Sequence, residues 1–335
     1  MDRRTFLKAS LATSTLTTAG SWTRIAAAQG DKQPTLAFFV KNVTNPFWRA
    51  CRIGAEKAGK ALGATIETVA PAKPDNIEEQ TRLVEDWIVK KPDAFVFVPV
   101  DYKALGPSIE RALKAGIPVI GYSNRMPDVP QVSYVGCDDV TIGHAISRHV
   151  FENLGGKGKV IYIDGVPGAI TSKDRKEGFD KAMKEFPGIE LLAAQPAQYR
   201  RLPAVQAMEN LMQRFPVIDA VVCANDDMAV GVVEALEGAG RGKQTKVGGI
   251  NGDTDAARLI KEGRMLATAD YNGHDQGYLA TVATVRHLRG QPVPKQIILP
   301  TKVAVQANVD PWLLPPEQRP APKWDEVVAA QGKAT

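Results

Sequence analysis

Residues 93–124 read DAFVFVPVDYKALGPSIERALKAGIPVIGYSN, and their pattern is the basis of the fold prediction. Two short apolar runs, at residues 94–100 and 118–122, enclose a longer helix-like segment that ends at Gly116. Near-continuous apolar strands separated by helices are typical of a parallel sheet that is covered on both faces. The stretch therefore predicts a β-α-β unit of a doubly wound α/β domain.

The same alternation of short β-rich runs and longer helical segments extends outward in both directions. It begins at Thr35, pauses at the loop of residues 126–132 and then restarts. In the helical segment at residues 77–88, apolar residues recur at helical spacing and charged residues take the other face, which indicates a core face and a solvent face. Two successive sets of β-α units predict two doubly wound, Rossmann-like lobes with parallel sheets.

The composition is that of a folded globular protein. The chain has 335 residues, of which 44% are apolar and 24% are charged, and its formal net charge is +5. Without residues 1–28 the balance is 38 basic against 36 acidic residues, or +2. This balance argues against nucleic-acid binding, which is usually accompanied by a basic domain or stripe. We therefore expect no nucleic-acid partner.

The first 28 residues are typical of an export signal. Arg3 and Arg4 precede a short, weakly apolar Ser/Thr/Ala stretch, and the small residues at 26–28 mark a cleavage point. The paired arginines and the modest hydrophobicity resemble a twin-arginine signal, whose pathway carries folded proteins. No cysteine lies at the cleavage point to carry a lipid, and no later stretch has the ~18 to 20 apolar residues that span a bilayer. We expect a soluble protein of the periplasm.

Cysteine and motif patterns give no sign of a metal, a cofactor or a catalytic centre. Cys51, Cys137 and Cys223 are widely spaced, and the sequence contains no CxxC or Cys/His grouping. Cys223 lies in an apolar run and is expected to be a small buried hydrophobe. The motifs GxSxG, HExxH, GxxxxGKS/T and a GxGxxG between strand and helix are missing. We expect a protein that is not an enzyme and that holds no metal or cofactor.

The candidate site lies beyond the carboxyl ends of the strands, where ligands of open parallel sheets bind. Loops at these positions carry amide, carboxylate, guanidinium and aromatic groups. A sugar suits them, because each hydroxyl donates and accepts hydrogen bonds and the C–H faces of the ring can lie on an aromatic side chain. Asn251 precedes Gly252 and has the alternative role of turning the chain. The predicted site residues are Asn45, Phe47, Trp48, Asp101, Asn124, Arg125, Arg175, Tyr199, Asn225, Asn251, Asp270 and Tyr271.

Six short motifs stand in collinear order over residues 35–306. They are TNPFW at 44–48, AGIPVIGYSNR at 115–125, DRKEGF at 174–179, NDDMAVG at 225–231, GGINGD at 248–253 and HDQG at 274–277. Together they resemble the periplasmic ribose-binding-protein family. The resemblance implies two Rossmann-like lobes joined by a three-segment hinge, which close on a pyranose or furanose and dock onto the permease of an ATP-driven importer.

The resemblance, together with the restart of the β-α alternation, gives the lobe boundaries. The N-terminal lobe is predicted at residues 35–136 plus 273–301, and the C-terminal lobe at residues 137–272 plus 302–310. The hinge is expected near Cys137 and Asn272, where the chain changes lobe. The proline-rich residues 311–335 are interpreted as a tail of packed extended chain or frayed chain.

By motif position, the resemblance also assigns roles within the site and shows three departures from the family's pattern. Asn124 replaces an acidic residue, Asn251 replaces an aspartate, and the usual glutamine falls at Tyr271 or Asp270, which puts ribose itself in doubt. The implied roles are hydrogen bonds to the sugar from Asn45 and Arg125, a sandwich of its ring by Phe47 and Trp48, hydroxyl binding by Arg175 and Asn225, and a further aromatic contact from Tyr199.

The charge of the ligand remains open in the sequence. Arg125 and Arg175 are both expected to point into the cleft, and a buried arginine needs a compensating charge. Either Asp101, Asp253 or Asp270 supplies that charge, or the ligand brings a carboxylate, which the arginine fork binds bidentately. We favour a neutral monosaccharide or polyol, with an aldonic or uronic acid as the alternative.

Two further classes of protein share this fold. A regulator of the lactose-repressor type would need an N-terminal helix-turn-helix, and here the export signal takes that position. A sensory protein would bind a sugar acid or a furanosyl signal and act through a chemoreceptor or sensor kinase, which the sequence does not separate from import. We predict an extracytoplasmic solute-binding protein, expected to be a monomer, that delivers a monosaccharide or polyol to the permease of an ABC importer.

Overall fold

The computed structural model describes residues 33–331 as two α/β lobes. Each lobe is built on one six-stranded sheet. All strand pairs except one are parallel, so the predicted fold class of two doubly wound lobes with parallel sheets is confirmed. The predicted export signal at residues 1–28 lies outside the described residues.

The sheet of the N-terminal lobe consists of parallel pairs throughout. Its strands are β1 (Thr35–Phe39), β2 (Thr65–Val69), β3 (Ala94–Phe97), β4 (Val119–Tyr122), β5 (Ser133–Gly136) and, from late in the chain, β11 (Gln296–Ile298). They lie in the order β11-β5-β4-β3-β1-β2. The helices of this lobe are α1 (Pro46–Leu62), α2 (Ile77–Lys90), α3 (Gly106–Lys114) and α9 (Gly273–Leu288).

The sheet of the C-terminal lobe repeats this order, with one antiparallel edge strand. Its strands are β6 (Lys157–Asp164), β7 (Gly188–Pro196), β8 (Ala220–Cys223), β9 (Lys246–Asn251), β10 (Ala267–Asp270) and the antiparallel β12 (Val303–Val305). They lie in the order β12-β10-β9-β8-β6-β7. The helices are α4 (Asp139–Asn153), α5 (Ile170–Glu185), α6 (Arg201–Arg214), α7 (Asp226–Gly238) and α8 (Thr254–Lys261).

The chain crosses between the two sheets three times, after β5, after β10 and after β11. Helix α4 packs on α5 and on the second sheet, whereas α9 packs on α1 and on the first sheet. On these contacts we propose the lobe boundaries as residues 35–136 plus 273–301 and residues 137–272 plus 302–310.

Alternating side chains of the apolar strands fill a core on each face of the sheet, as the period of a β-strand requires. In β1, Phe38 points to one side and stacks on Tyr122 with ring centroids 5.0 Å apart. Its neighbour Phe39 points to the other side and meets Phe95 and Phe97 edge-on, each at 5.0 Å. The inner strands, such as β3, β4, β8 and β10, are thus buried between two helix layers, which leaves their ends as the accessible positions for polar groups.

Glycines allow the helices that carry the site to approach each other closely. A Cβ atom on Gly143 of α4 would lie only 2.3 Å from the backbone oxygen of Arg175 on α5. A Cβ atom on Gly178 of α5 would lie 2.2 Å from a backbone oxygen of α4. The pair α1 and α9 meets in the same way at Gly54 and Gly277. Close contact with α4 therefore fixes the position of Arg175.

The C-terminal segment is folded, in contrast to the extended or frayed tail that its prolines suggested. After β12 it forms α10 (Asp310–Leu313), a 3-10 turn at Pro316–Gln318 and α11 (Trp324–Gln331). Pro311 occupies the first turn of α10, where its missing N–H has no helical partner to lose. Residues 332–335 lie outside the described part of the chain.

Residues 33–331 contain no helix that is both long enough and apolar enough to cross a membrane. All three cysteines are buried and unpaired, and Cys223 is the small buried hydrophobe that the sequence predicted. Within the same residues, no group of three or more His, Cys, Asp or Glu side chains is placed to hold a metal ion.

Candidate ligand-binding cleft

A cavity lies between the lobes at the carboxyl ends of the strands. This is the position that the topology of the two sheets predicts for a ligand. Loops from both lobes contribute side chains to its walls. Nine of the twelve predicted site residues line it, namely Asn45, Phe47, Trp48, Asn124, Arg175, Tyr199, Asn225, Asn251 and Tyr271.

Phe47 and Trp48 form the aromatic wall of the N-terminal lobe. Both lie in the first turn of α1, which begins at Pro46 and is capped by Asn45, whose Oδ1 accepts the backbone N–H of Phe47 at 3.0 Å. The two ring centroids are 4.8 Å apart and the ring planes meet at 78°. The pair therefore forms a corner for one face and one edge of a ligand, rather than the two parallel plates of a sandwich.

Arg175 is a buried cation of the cleft, contributed by the C-terminal lobe. Its Nε donates to Oδ1 of Asp139 at 2.9 Å, and its Nη1 donates to the backbone oxygen of Ala224 at 2.6 Å. The guanidinium carbon lies 4.2 Å from the ring centre of Tyr271, within the range of a cation–π contact. The Tyr271 hydroxyl in turn donates to Asp139 at 2.9 Å. Arg175 is thus held on three sides, which orients its remaining N–H groups.

The charge of Arg175 is compensated inside the protein. Burial disfavours the charged guanidinium, but the neighbouring Asp139 carboxylate outweighs this effect and the pKa of Arg175 is raised. Burial also raises the pKa of Asp139, although the guanidinium opposes that shift. The compensating residue is the first residue of α4 and is none of Asp101, Asp253 and Asp270, which the sequence had suggested.

Two helix-capping asparagines, one from each lobe, meet at a single carbonyl group. Nδ2 of Asn45 donates to the backbone oxygen of Tyr199 at 3.1 Å, and Nδ2 of Asn225 donates to the same oxygen at 3.2 Å. Asn225 also caps α7, because its Oδ1 accepts the backbone N–H of Met228 at 3.0 Å. Tyr199 adopts a φ of +56°, which is unusual for a residue with a side chain. The described conformation is therefore one in which the lobes touch across the cleft.

A buried ion pair lines the wall of the N-terminal lobe. Nζ of Lys41 lies 3.2 Å from Oδ1 of Asp75, and Nδ2 of Asn42 donates to the other carboxylate oxygen at 3.1 Å. The Lys41 side chain is only 3% exposed and that of Asp75 is 17% exposed. The backbone N–H of Asp75 also donates to the backbone oxygen of Lys41 at 3.1 Å, which joins the loops after β1 and β2. The cleft thus presents an ammonium and a carboxylate side by side, without net charge.

The loop after β4 places Ser123 and Asn124 in the cleft. Ser123 has a φ of +60°, and its backbone oxygen lies 3.1 Å from the hydroxyl oxygen of Tyr271, as an alternative acceptor to Asp139. The Asn124 side chain is buried, with Nδ2 donating to the backbone oxygen of Pro99 at 3.3 Å. These two residues follow the strand directly, and the next residue, Arg125, no longer lines the cavity.

Arg125 lies at the edge of the cleft and forms an ion pair with Asp174 of the other lobe. Its side chain is half exposed, whereas that of Asp174 is buried. The sequence had predicted that Arg125 points into the cavity and hydrogen-bonds the ligand. Its pairing across the lobes instead makes it a link that exists only while the lobes are close together.

Asp101 and Asp270 also lie outside the cavity, because each carboxylate serves a local turn. Asp101 accepts the backbone N–H groups of Lys103 at 2.9 Å and Ala104 at 2.8 Å, which closes the turn before α3. Asp270 accepts the backbone N–H of Asn272 at 2.7 Å, where the chain changes lobe. Both were predicted as ligand-binding residues, and neither side chain faces the cavity in this structure.

Five residues of the cavity wall were not among the predicted site residues: Lys41, Asn42, Asp75, Ser123 and Thr171. Three of them follow β1 or β4 within three residues, so the same search of strand ends would have included them. Asp75 and Thr171 come from longer loops whose course the sequence does not indicate.

Two doubly wound lobes that enclose a polar and aromatic cleft define a two-lobed binding protein. A family model described as a periplasmic binding protein domain matches residues 36–292. The chain belongs to the periplasmic binding protein family.

Curated relatives match most of the chain. The ribose import binding protein of Bacillus subtilis is 31% identical over 285 residues, which cover 85% of this chain and 92% of that protein. The D-allose-binding periplasmic protein of Escherichia coli is 31% identical over 249 residues, which cover 72% and 80%. The family expected from the six motifs is thereby confirmed.

Solved structures show the same architecture. A periplasmic solute-binding protein of Actinobacillus succinogenes, solved with bound D-allose, has a TM-score of 0.80 and 30% identity, covering 83% of this chain and 99% of that one. A twin-arginine translocation pathway signal protein of Burkholderia phytofirmans has a TM-score of 0.81 and 26% identity, covering 89% and 97%.

Proposed function

We propose that this protein captures a neutral monosaccharide or polyol in the interlobe cleft and delivers it to the permease of an ATP-driven importer. The observation that carries the proposal is the charge balance of the cleft. Among the described residues, both cations that line the cavity have a carboxylate partner, Lys41 with Asp75 and Arg175 with Asp139. A neutral ligand leaves both pairs intact, whereas an acid would add an unbalanced charge.

The remaining groups of the cleft suit hydroxyls. The aromatic corner offers a surface for the C–H groups of a sugar ring. Amide and hydroxyl groups donate and accept hydrogen bonds, as a ring with several hydroxyls requires. A site built in this way rejects ligands that lack the matching hydroxyls, because each buried polar group left unpaired costs about 1 to 3 kcal/mol.

Relatives support a sugar or polyol as the ligand and import as the role. Proteins named for ribose import, D-allose binding and, in Mycolicibacterium smegmatis, xylitol binding are 30–31% identical to this chain. The xylitol-binding protein matches over 251 residues, which cover 75% of this chain and 72% of that protein.

We infer that the protein acts outside the cytoplasm as a monomer and that its membrane partner is the permease. The paired Arg3 and Arg4 support export by the twin-arginine route, and one structural neighbour is itself named as a twin-arginine pathway signal protein. Fusion of residues 1–28 to a reporter, with Arg3→Lys and Arg4→Lys as the matched control, tests the route. Equal export of both fusions would contradict it.

A thermal-shift screen tests the ligand class. A ligand that binds only the folded protein stabilises it by RT ln(1 + [L]/Kd), or about 2.7 kcal/mol at a hundredfold excess over Kd. We expect a clear shift with at least one of D-ribose, D-allose, xylitol and related pentoses, hexoses and polyols. The matched aldonic and uronic acids should give smaller shifts. Stabilisation by the acids alone would overturn the proposal.

A further inference from the structure

The C-terminal segment, residues 310–331, contacts both lobes. It is anchored on the C-terminal lobe through α10, which packs on α8. Nζ of Lys261 binds Oδ1 of Asp310 at 2.6 Å, and a Cβ atom on Gly252 would lie 2.7 Å from the Trp312 ring. Trp312 therefore lies directly against the backbone that follows β9.

The same segment is then fixed to the N-terminal lobe at two places. At α1, Glu317 forms an ion pair with Arg49, and Nζ of Lys57 donates to the backbone oxygen of Arg319 at 2.5 Å. At β11, the side chain of Gln331 accepts the backbone N–H of Ile298 at 2.8 Å and donates to its backbone oxygen at 3.0 Å. The second contact adds a side-chain amide to the free edge of the sheet.

Arg319 lies where the segment passes between the lobes. Its Nη2 donates to the backbone oxygen of Gly252 at 3.1 Å, and its Nε donates to that of Leu314 at 3.2 Å. Its charge acts on the buried Asp253 and Asp270 and lowers the pKa of each against the raising effect of burial. A cation from the tail therefore partly offsets the effect of burial on two carboxyl groups that lie behind the cleft.

The bond to Gly252 connects Arg319 with the cleft itself. Gly252 directly follows Asn251, which lines the cavity and holds an unusual φ of +146°. Nδ2 of Asn251 donates to Oδ2 of Asp253 at 3.2 Å. The Arg319 guanidinium thus contacts the backbone next to Asn251 and acts electrostatically on Asp253, the hydrogen-bond partner of Asn251. It does not line the cavity itself.

We infer that residues 310–331 form a clasp that stabilises the closed arrangement of the lobes, and that Arg319 is a positioning residue for Asn251. Opening the lobes would separate α1 from the α10 anchor, so the contacts of Arg49 and Lys57 with the clasp would be lost. Removal of the clasp contacts should therefore shift the protein toward open conformations and shorten the residence time of a bound sugar. This inference rests on the proposed function only for its sugar-binding readout.

The first experiment measures opening without any ligand. Spin labels at Val43→Cys and Leu202→Cys report the separation of the lobes, because both residues are exposed, each lies within three residues of a cavity-lining residue of its own lobe, and all three native cysteines are buried. We expect longer interlabel distances for Glu317→Gln and Arg319→Gln than for the parent. The matched control is Lys323→Gln, which removes a cation of the same segment whose ion-pair partner within residues 33–331 is Glu326.

The second experiment measures dissociation of D-ribose, D-allose and xylitol by stopped-flow fluorescence. Glu317→Gln should speed dissociation by about two- to fivefold, the range of an exposed ion pair. Arg319→Gln should speed it by about tenfold or more, because it removes hydrogen bonds that a charged guanidinium donates to backbone oxygens. Arg319→Lys, which keeps the charge and loses the fork, should recover part of the loss.

The two readouts separate the inference from the proposed function. Distances and dissociation rates that match those of Lys323→Gln in both clasp variants would overturn the clasp. Failure of all three sugars to bind the parent protein would contradict the proposed ligand class, and the interlabel distances would still decide on the clasp.

Discussion

At the scale of single residues, the cleft is defined by which charges are already paired. Lys41 and Arg175 would each attract an acidic ligand if they stood alone. Their partners, Asp75 and Asp139, are part of the protein, so the cleft offers directional donors without a net positive charge. Selectivity between a sugar and its acid therefore depends on the two carboxylates as much as on the two cations.

Asp75→Asn should shift selectivity toward sugar acids. The change keeps the size of the side chain and leaves Lys41 without its counter-charge in a nearly buried position. In calorimetric titrations, D-ribose should bind the variant more weakly than the parent. The ratio of the Kd for D-ribose to the Kd for D-ribonate should rise at least about tenfold, which is equivalent to about 1.4 kcal/mol. Asp101→Asn is the matched control, because that carboxylate only closes a turn. Unchanged selectivity in Asp75→Asn would disprove the role of the pair.

Neighbouring residues also show how far the sequence could specify the site. The rule that ligands bind at strand ends found Asn124, Asn251 and Tyr271, because it depends only on the order of strands and helices. It could not separate Asn124 from Arg125, since the left-handed turn at Ser123 decides which of the two side chains stays in the cleft. The backbone conformation of Ser123, which the residue types do not indicate, therefore keeps the Arg125 side chain out of the cavity.

At the scale of helices, the pair α4 and α5 determines where Arg175 lies. Gly143→Ala would place a Cβ atom 2.3 Å from the backbone oxygen of Arg175 and force the helices apart. Overpacking of this kind costs about 1 to 3 kcal/mol, and sugar affinity should fall as well because Arg175 moves. Chemical denaturation and calorimetry would measure the two effects.

Gly238→Ala is the matched control for that change. Gly238 is the last residue of α7, and nothing lies within 4 Å of an added Cβ atom. The substitution should stabilise the protein by a few tenths to about 1 kcal/mol, because alanine lowers the conformational entropy of the unfolded chain. Sugar affinity should be unchanged. Equal destabilisation in both variants would show that close helix contact at Gly143 is not the cause.

The start of α7 and the loop before α8 bring together a buried acidic pair that predicts a pH dependence of stability. Asp226 accepts the hydroxyl of Thr268 at 2.7 Å and the backbone N–H of Asp253 at 2.9 Å. Burial raises the pKa of Asp226 well above its ordinary range and that of Asp253 from 3.8 to about 7. A carboxyl group with a raised native pKa binds more protons in the folded than in the unfolded state.

The free energy of unfolding should therefore fall as the pH rises from about 4 to about 7, as the contribution of these groups is lost. Urea denaturation at several pH values measures the slope. The slope should be shallower in Asp253→Asn and unchanged in the exposed control Asp310→Asn. A slope that Asp253→Asn leaves unaltered would assign the pH dependence to other groups.

At the scale of the whole molecule, the sequence specified the two lobes well because their signal is repeated. Each β-α unit shows the same apolar strand and amphipathic helix, so an error in one unit would not change the prediction. The C-terminal segment carries no such repetition, and its prolines suggested an extended chain. Its fold depends on contacts with distant elements, such as Glu317 with Arg49 and Gln331 with Ile298, which local patterns do not encode.

The ion pair between Arg125 and Asp174 should affect how long a ligand stays bound, and not how firmly the chain is folded. It joins the two lobes at the edge of the cleft, so it contributes only to the closed state. Asp174→Asn should speed dissociation of a bound sugar by about two- to fivefold, with little change in the association rate or in the free energy of unfolding. Salt should speed dissociation in the parent more than in the variant, because Arg125 is half exposed and its attraction is screened.

Asp180→Asn, which breaks a pair within α5 of one lobe, is the matched control. If Asp174→Asn and Asp180→Asn release the sugar at the same rate, the lobes close without help from this pair, and the contacts inside the cleft alone set the residence time.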